Sequence, residues 1–185
     1  MQKENIHTAK EKKVNEVYFN GTVTIREVIS EQNSREQEMY HVTFQNGART
    51  TLHSHESDQI LIVTGGRGVI GLINGNSIKG FKIEDNDILF LESVGDTVCI
   101  PRNKLHFHGA IREGENFSHI AIRKLYKVDE SAGSVTRAEN KWEYDMILKE
   151  TDTREPEIIK RITNEIADKI QAAISNKMQI NSQRK

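Results

Sequence analysis

At 185 residues, with 29% charged side chains against 36% hydrophobic ones and a formal net charge of -1, the chain has the makeup of one soluble domain with an extension. The near-zero charge gives no ground for nucleic acid or an anionic membrane as partner, and no apolar run approaches the roughly 18 residues of a spanning helix. Met1-Gln2-Lys3-Glu4-Asn5 lacks the apolar core of a signal peptide and the single Cys99 has no internal partner, so a reducing cytoplasm is expected.

Residues 1–15 are polar and Lys/Glu-rich, which predicts a flexible arm with His7 solvated in it. Thr22 to Ser30 alternates as a strand, and Glu31 to Gln37 is a polar loop. Glu38 to Gln45 reads as a strand with Tyr40, Val42 and Phe44 on one face, which turns His41 the other way, toward the surface. His53 and His55 follow, two apart on a strand, so their side chains share a face and converge. Gln59 has the same parity if Glu56 to Asp58 form a tight corner.

Gln59 to Thr64 is a short apolar strand that runs into Gly65-Gly66-Arg67-Gly68. No Lys-Ser/Thr follows and no helix opens there, so a glycine turn between antiparallel strands is expected rather than a phosphate cradle. Val69 to Ile73 continues as a strand, and Asn74-Gly75-Asn76 signals a hairpin. Ile78 to Ser93 reads as an added strand or hairpin. A strand beginning after Pro101 brings in His106, with His108 on the same face, and Asn116 to Val128 is a long final strand carrying His119 and Arg123.

Residues 129–185 form a C-terminal extension. Gly133-Ser134 breaks the strand pattern, and Lys141-Trp142-Glu143-Tyr144 lays an aromatic pair on the preceding domain. A helix over about 154–178 is predicted: Asp152 or Thr153 as cap, Pro156 in the first turn, Glu155 and Glu157 at the positive end. Ile159, Ile162, Ile166, Ile170, Ile174 and Met178 make one apolar stripe, to pack on the barrel or on a partner subunit.

Three imidazoles, His53, His55 and His106, and the amide oxygen of Gln59 aimed at one point describe a metal site with positions left for water or substrate. Asp58 is the rival to Gln59, a stronger oxygen ligand at the opposite parity. Such ligands suit one divalent Mn, Fe, Ni, Cu or Zn ion. An all-neutral set leaves the ion its full charge, which favours Lewis-acid chemistry of lyase or isomerase type on a small oxygenated substrate. An Fe-dependent dioxygenase and a non-enzymatic binding protein are the alternatives. His108 or His119 is the candidate to move a proton, with His108 alternatively an orienting partner. A homodimer is expected, because an unpaired isoleucine stripe would stay wet.

The two halves of this site resemble the two motifs of the cupin family. Gly47, His53, His55 and Gly66 match the first, with Gln59 where Glu is usual; Gly95, Pro101 and His106 match the second. Asn103 stands for the usual Gly, a mild change because Asn tolerates positive φ, and Ala110 stands for the final Asn. The resemblance runs over roughly Val17 to Tyr126. It implies an all-β single cupin barrel (a double-stranded β-helix or jelly roll) over 16–128, followed by the helical extension. His-x-His-x-x-x-Gln, His106-Phe107-His108-Gly109-Ala110 and Ser118-His119-Ile120-Ala121-Ile122 also resemble small bacterial cupins that include manganese-dependent hydroxynitrile lyases. That likeness implies manganese, a pocket role for His119, Tyr40 and Val42 as pocket lining, and Arg123 where the subgroup has Gln. If Arg123 rather than Ile120 and Ile122 faces inward, it favours an anionic substrate.

Overall fold

The computed structural model describes residues 3–75, 78, 80–129 and 133–183. Two antiparallel sheets face each other. The first runs Glu11–Lys12, Val23–Ile29, Gln37–Phe44, Phe117–Lys124, Gln59–Gly66, Thr97–Ile100 across its width. The second runs Asn140–Trp142, His53–His55, His106–Ala110, Arg49–Thr50, Phe19–Asn20, and His106–Ala110 also pairs with Gly68–Leu72, which carries Ile88–Leu91 on its far edge. Tyr126–Asp129 and Ser134–Arg137 form a separate ribbon. Two helices close the chain, α1 (Glu143–Thr151) and α2 (Pro156–Gln183). Among the described residues, no helix is long and apolar enough to cross a membrane.

Strand alternation sorts the side chains into two cores. Tyr40, Val42, Phe44, Leu61, Val63, Ile70, Ile100, Phe117 and Ala121 fill the space between the sheets. Leu52, Val69 and Phe107, one position out of phase with His53, Ile70 and His106, point outward from the second sheet. There they meet Ile147 of α1 and Ile159, Ile166, Ile170 and Ile174 of α2, all buried. The isoleucine stripe therefore packs on its own barrel, and Ile162 and Met178 flank it half-buried. The premise that a partner must cover the stripe does not hold.

Several local expectations give way to long-range pairing. The polar arm lays Glu11–Lys12 antiparallel to Ile25 and Arg26, and Arg26 Nη1 donates to the carbonyl of the buried Ala9 at 3.2 Å. An edge strand is held by backbone bonds, so a polar composition does not prevent it. The Gly65–Gly68 segment does not turn between paired strands: Gln59–Gly66 and Gly68–Leu72 lie in different sheets, and the chain crosses between them at Arg67. Gly66 has φ +70, and a Cβ there would sit 2.0 Å from the Asn116 carbonyl oxygen, so the crossover needs glycine. Asn74 bridges Lys82 rather than closing a two-residue hairpin; Asn76 of that expected turn lies outside the described residues. His41, expected at the surface, is buried with its Nε2 2.9 Å from Thr64 Oγ1 and the His7 ring edge-on 5.2 Å away.

Candidate metal centre

His53 and His55 sit on one short strand whose neighbour, through the pair His106↔His53, delivers the third imidazole. Among the described residues, one nitrogen from each of His53, His55 and His106 lies within 4.8 Å of the others, and all three side chains are buried. The Nδ1 atoms are already committed. His53 Nδ1 lies 3.0 Å from the Thr51 carbonyl oxygen and His106 Nδ1 lies 2.8 Å from that of Lys104. A carbonyl only accepts, so each Nδ1 carries the proton and each Nε2 keeps its lone pair for a ligand. Gln59 Oε1 comes to 3.2 Å from His106 Nε2, so the amide oxygen belongs to the same cluster. Asp58 does not: it is exposed, and its Oδ1 accepts the Arg102 amide at 2.8 Å.

A cavity of about 330 Å³ opens between the sheets, lined by His53, His55, Gln59, His108, His119, Tyr40, Val42 and Arg123 among others. Along the Phe117–Lys124 strand the inward parity falls on Phe117, His119, Ala121 and Arg123, so Ile120 and Ile122 face the other way. His119 Nε2 lies 3.3 Å from His108 Nδ1, which makes these two a buried imidazole pair beside the three ligands. Asn15, Lys12 and Lys13 of the N-terminal segment reach the rim.

The sequence profile described as cupin matches residues 4–135, more than half of the chain. The chain belongs to the cupin family. Among solved structures it resembles a cupin-like protein from Thermotoga maritima at 30% identity, covering 73% of this chain and 90% of that one, with a TM-score of 0.50. It also resembles the polyketide cyclase RemF from Streptomyces resistomycificus at 15% identity, covering 83% and 94%, with a TM-score of 0.55, a likeness of fold. Among curated proteins, no sequence matches this cupin.

Burial sets the charge state of the cupin's site. It pushes His53, His55 and His108 well below the usual 6.5, His106 down to about 4 and His119 to about 3, with the neighbouring imidazoles and Arg123 adding to the effect at several of them. All five rings are therefore neutral near pH 7, the form that ligates a metal or accepts a proton. Arg123 faces the pocket but is not a free cation. Its Nε pairs with Glu38 Oε1 at 2.5 Å, and Tyr40 Oη donates to Glu38 Oε2 at 2.9 Å. Burial and the adjacent Glu38 push the Tyr40 phenol up from its usual range, so it stays protonated. The paired Arg123 gives little reason to prefer an anionic substrate.

Two residues beyond the family match complete the site. The Asn140–Trp142 strand pairs with the ligand strand, Asn140 opposite His55 and Trp142 opposite His53. Trp142 stacks on His53 at 4.4 Å between ring centroids and on Tyr18 at 4.5 Å. The Lys141–Tyr144 aromatic signal pointed to this contact in part, but Asn140 and Glu38 carried no local signal. Asn140 is 85 positions from the histidine it touches. Glu38 meets Arg123 only through cross-strand register.

Proposed function

We propose that this cupin is a metal-dependent enzyme that acts on a small oxygenated substrate by Lewis-acid and general-base chemistry, of lyase or isomerase type. The observation that carries the reading is the convergence of His53, His55 and His106, whose Nδ1 atoms at His53 and His106 are spent on carbonyls, together with the Gln59 oxygen. These four donors suit a divalent first-row ion, manganese first in view of the subgroup resemblance. When bound, such an ion supplies a Lewis acid that polarises a substrate oxygen, and the neutral donor set leaves its charge undiminished.

The chain's own residues supply the rest. Val42, Phe44, Ala121 and Trp142 wall the cavity with apolar surface and keep bulk water from the reacting atoms. His108, neutral and fixed through Thr50 Oγ1 accepting its backbone N–H at 3.0 Å, takes a proton from the substrate. His119 holds the His108 ring by the 3.3 Å contact and shares that proton. Tyr40 narrows the pocket against bulky aromatic substrates, and hydroxynitrile cleavage fits as a side activity rather than the main one. The cyclase activity of RemF belongs to a protein only 15% identical and does not choose the substrate.

The test is turnover of lyase substrates, a cyanohydrin panel included, by the Mn(II)-loaded protein and by His108→Ala. The reading expects the variant to keep its metal and lose turnover by about 100-fold or more, as befits a general base. Equal turnover at equal metal loading would remove His108 from the reaction.

A further inference from the structure

His55 offers two ring nitrogens, and only one tautomer leaves the right one for a ligand. Its Nδ1 lies 2.6 Å from Asn140 Oδ1, and the same oxygen lies 2.8 Å from Arg123 Nη1. A guanidinium has donors only, so the Asn140 amide atom facing it is the oxygen. That oxygen has two lone pairs. Accepting one bond from Arg123 and one from His55 Nδ1–H would leave His55 Nε2 unprotonated for a ligand. Arg123 is itself ion-paired with Glu38 behind it.

Arg123 Nη1 also lies 2.7 Å from His55 Nδ1, so the guanidinium and the Asn140 oxygen compete for that nitrogen. With the Asn140 oxygen gone, the guanidinium would donate to Nδ1 directly. The imidazole proton would then move to Nε2, and the lone pair needed for a metal would be lost. The outcome at His55 thus depends on an acceptor supplied from beyond the family match, which ends at residue 135, on a strand that joins the second sheet beside the ligand strand.

We propose that Asn140 is a positioning residue that holds His55 in its metal-binding tautomer, so that the strand of the C-terminal extension is a working part of the metal site. This rests on the metal-dependent reading above. Asn140 is exposed on its outer side, so replacing it does not open a core.

The experiment is a Co(II) titration of the full chain followed by visible absorption, with thermal melts of the metal-free proteins as the check on folding. Asn140→Leu is expected to weaken Co(II) binding by about 10–100-fold and to alter the absorption bands of the bound ion. Asn140→Asp keeps the acceptor oxygen and is expected to bind within a few-fold of the natural chain. Should the leucine variant not fold, Asn140→Ala gives the same loss without added bulk. Natural affinity and spectrum in the Leu or Ala variant would overturn the role of Asn140, as would an Asp variant no better than Leu. Failure of the natural chain itself to take up Co(II) would instead overturn the metal reading.

Discussion

Gln59 is the residue on which the proposed Lewis-acid chemistry depends. It replaces the usual Glu of the first motif, and its oxygen stands 3.2 Å from His106 Nε2. Gln59→Glu is nearly isosteric, so the fold and metal uptake should persist, while one negative charge joins the donor set. A divalent ion held there would then be the weaker Lewis acid. Giving up even 1.4 kcal/mol of the ion's charge stabilisation slows a Lewis-acid step about 10-fold. Measured at equal metal loading, unchanged lyase turnover would make Gln59 a bystander. His53, His55, Gln59 and His106 could all be placed from sequence because strand parity acts over a few residues and the two motifs are short. The sign of the field at Arg123 could not be, because Glu38, which cancels it, is brought there by pairing two strands far apart in the chain.

At the scale of elements, the helical extension divides into a part that was legible and a part that was not. The 3.6-residue spacing of Ile159 to Met178 and Pro156 in the first turn predict a helix over about 154–178; α2 starts at Pro156 and continues to Gln183 because no Gly or Pro stops it. The short α1 carries Ile147 as its one fully buried apolar side chain, too little for a periodic signal. Ile174 is fully buried under α2, so Ile174→Ala should cost about 2–5 kcal/mol, read as a shift in the urea midpoint. No shift would mean that the helix does not pack where it is placed.

Glu143, at the start of α1, is 2% exposed and accepts the Leu52 amide at 3.1 Å; burial raises its carboxyl to about 7. The folded pKa lies above the ordinary value of 4.5, so the cost of burying the ionised form is full above pH about 7 and fades as the pH falls toward 4.5. Glu143→Gln should therefore raise stability at pH 8.5, by on the order of 2 kcal/mol, and change it little at pH 4.5. Equal melting shifts at the two pH values would contradict this.

For the whole molecule, the barrel and its outer helix form two cores that share the second sheet. The cupin architecture was legible because both motifs and the alternation of Tyr40, Val42 and Phe44 survive in the sequence. The crossover at Arg67 and the docking of Asn140–Trp142 on the ligand strand were not, since each depends on which distant strands pair. The isoleucine stripe is covered within the chain and gives no reason for a dimer, so light scattering of the full chain is the test of the expected homodimer. The proposed reaction requires that the buried histidine cluster hold a divalent metal. Elemental analysis of the purified natural chain beside the His53→Ala, His106→Ala double variant tests it most directly. Close to one first-row metal per natural chain and none in the double variant is expected; stoichiometric metal in the double variant, or none in the natural chain after Mn(II) is supplied, would rule the metal site out.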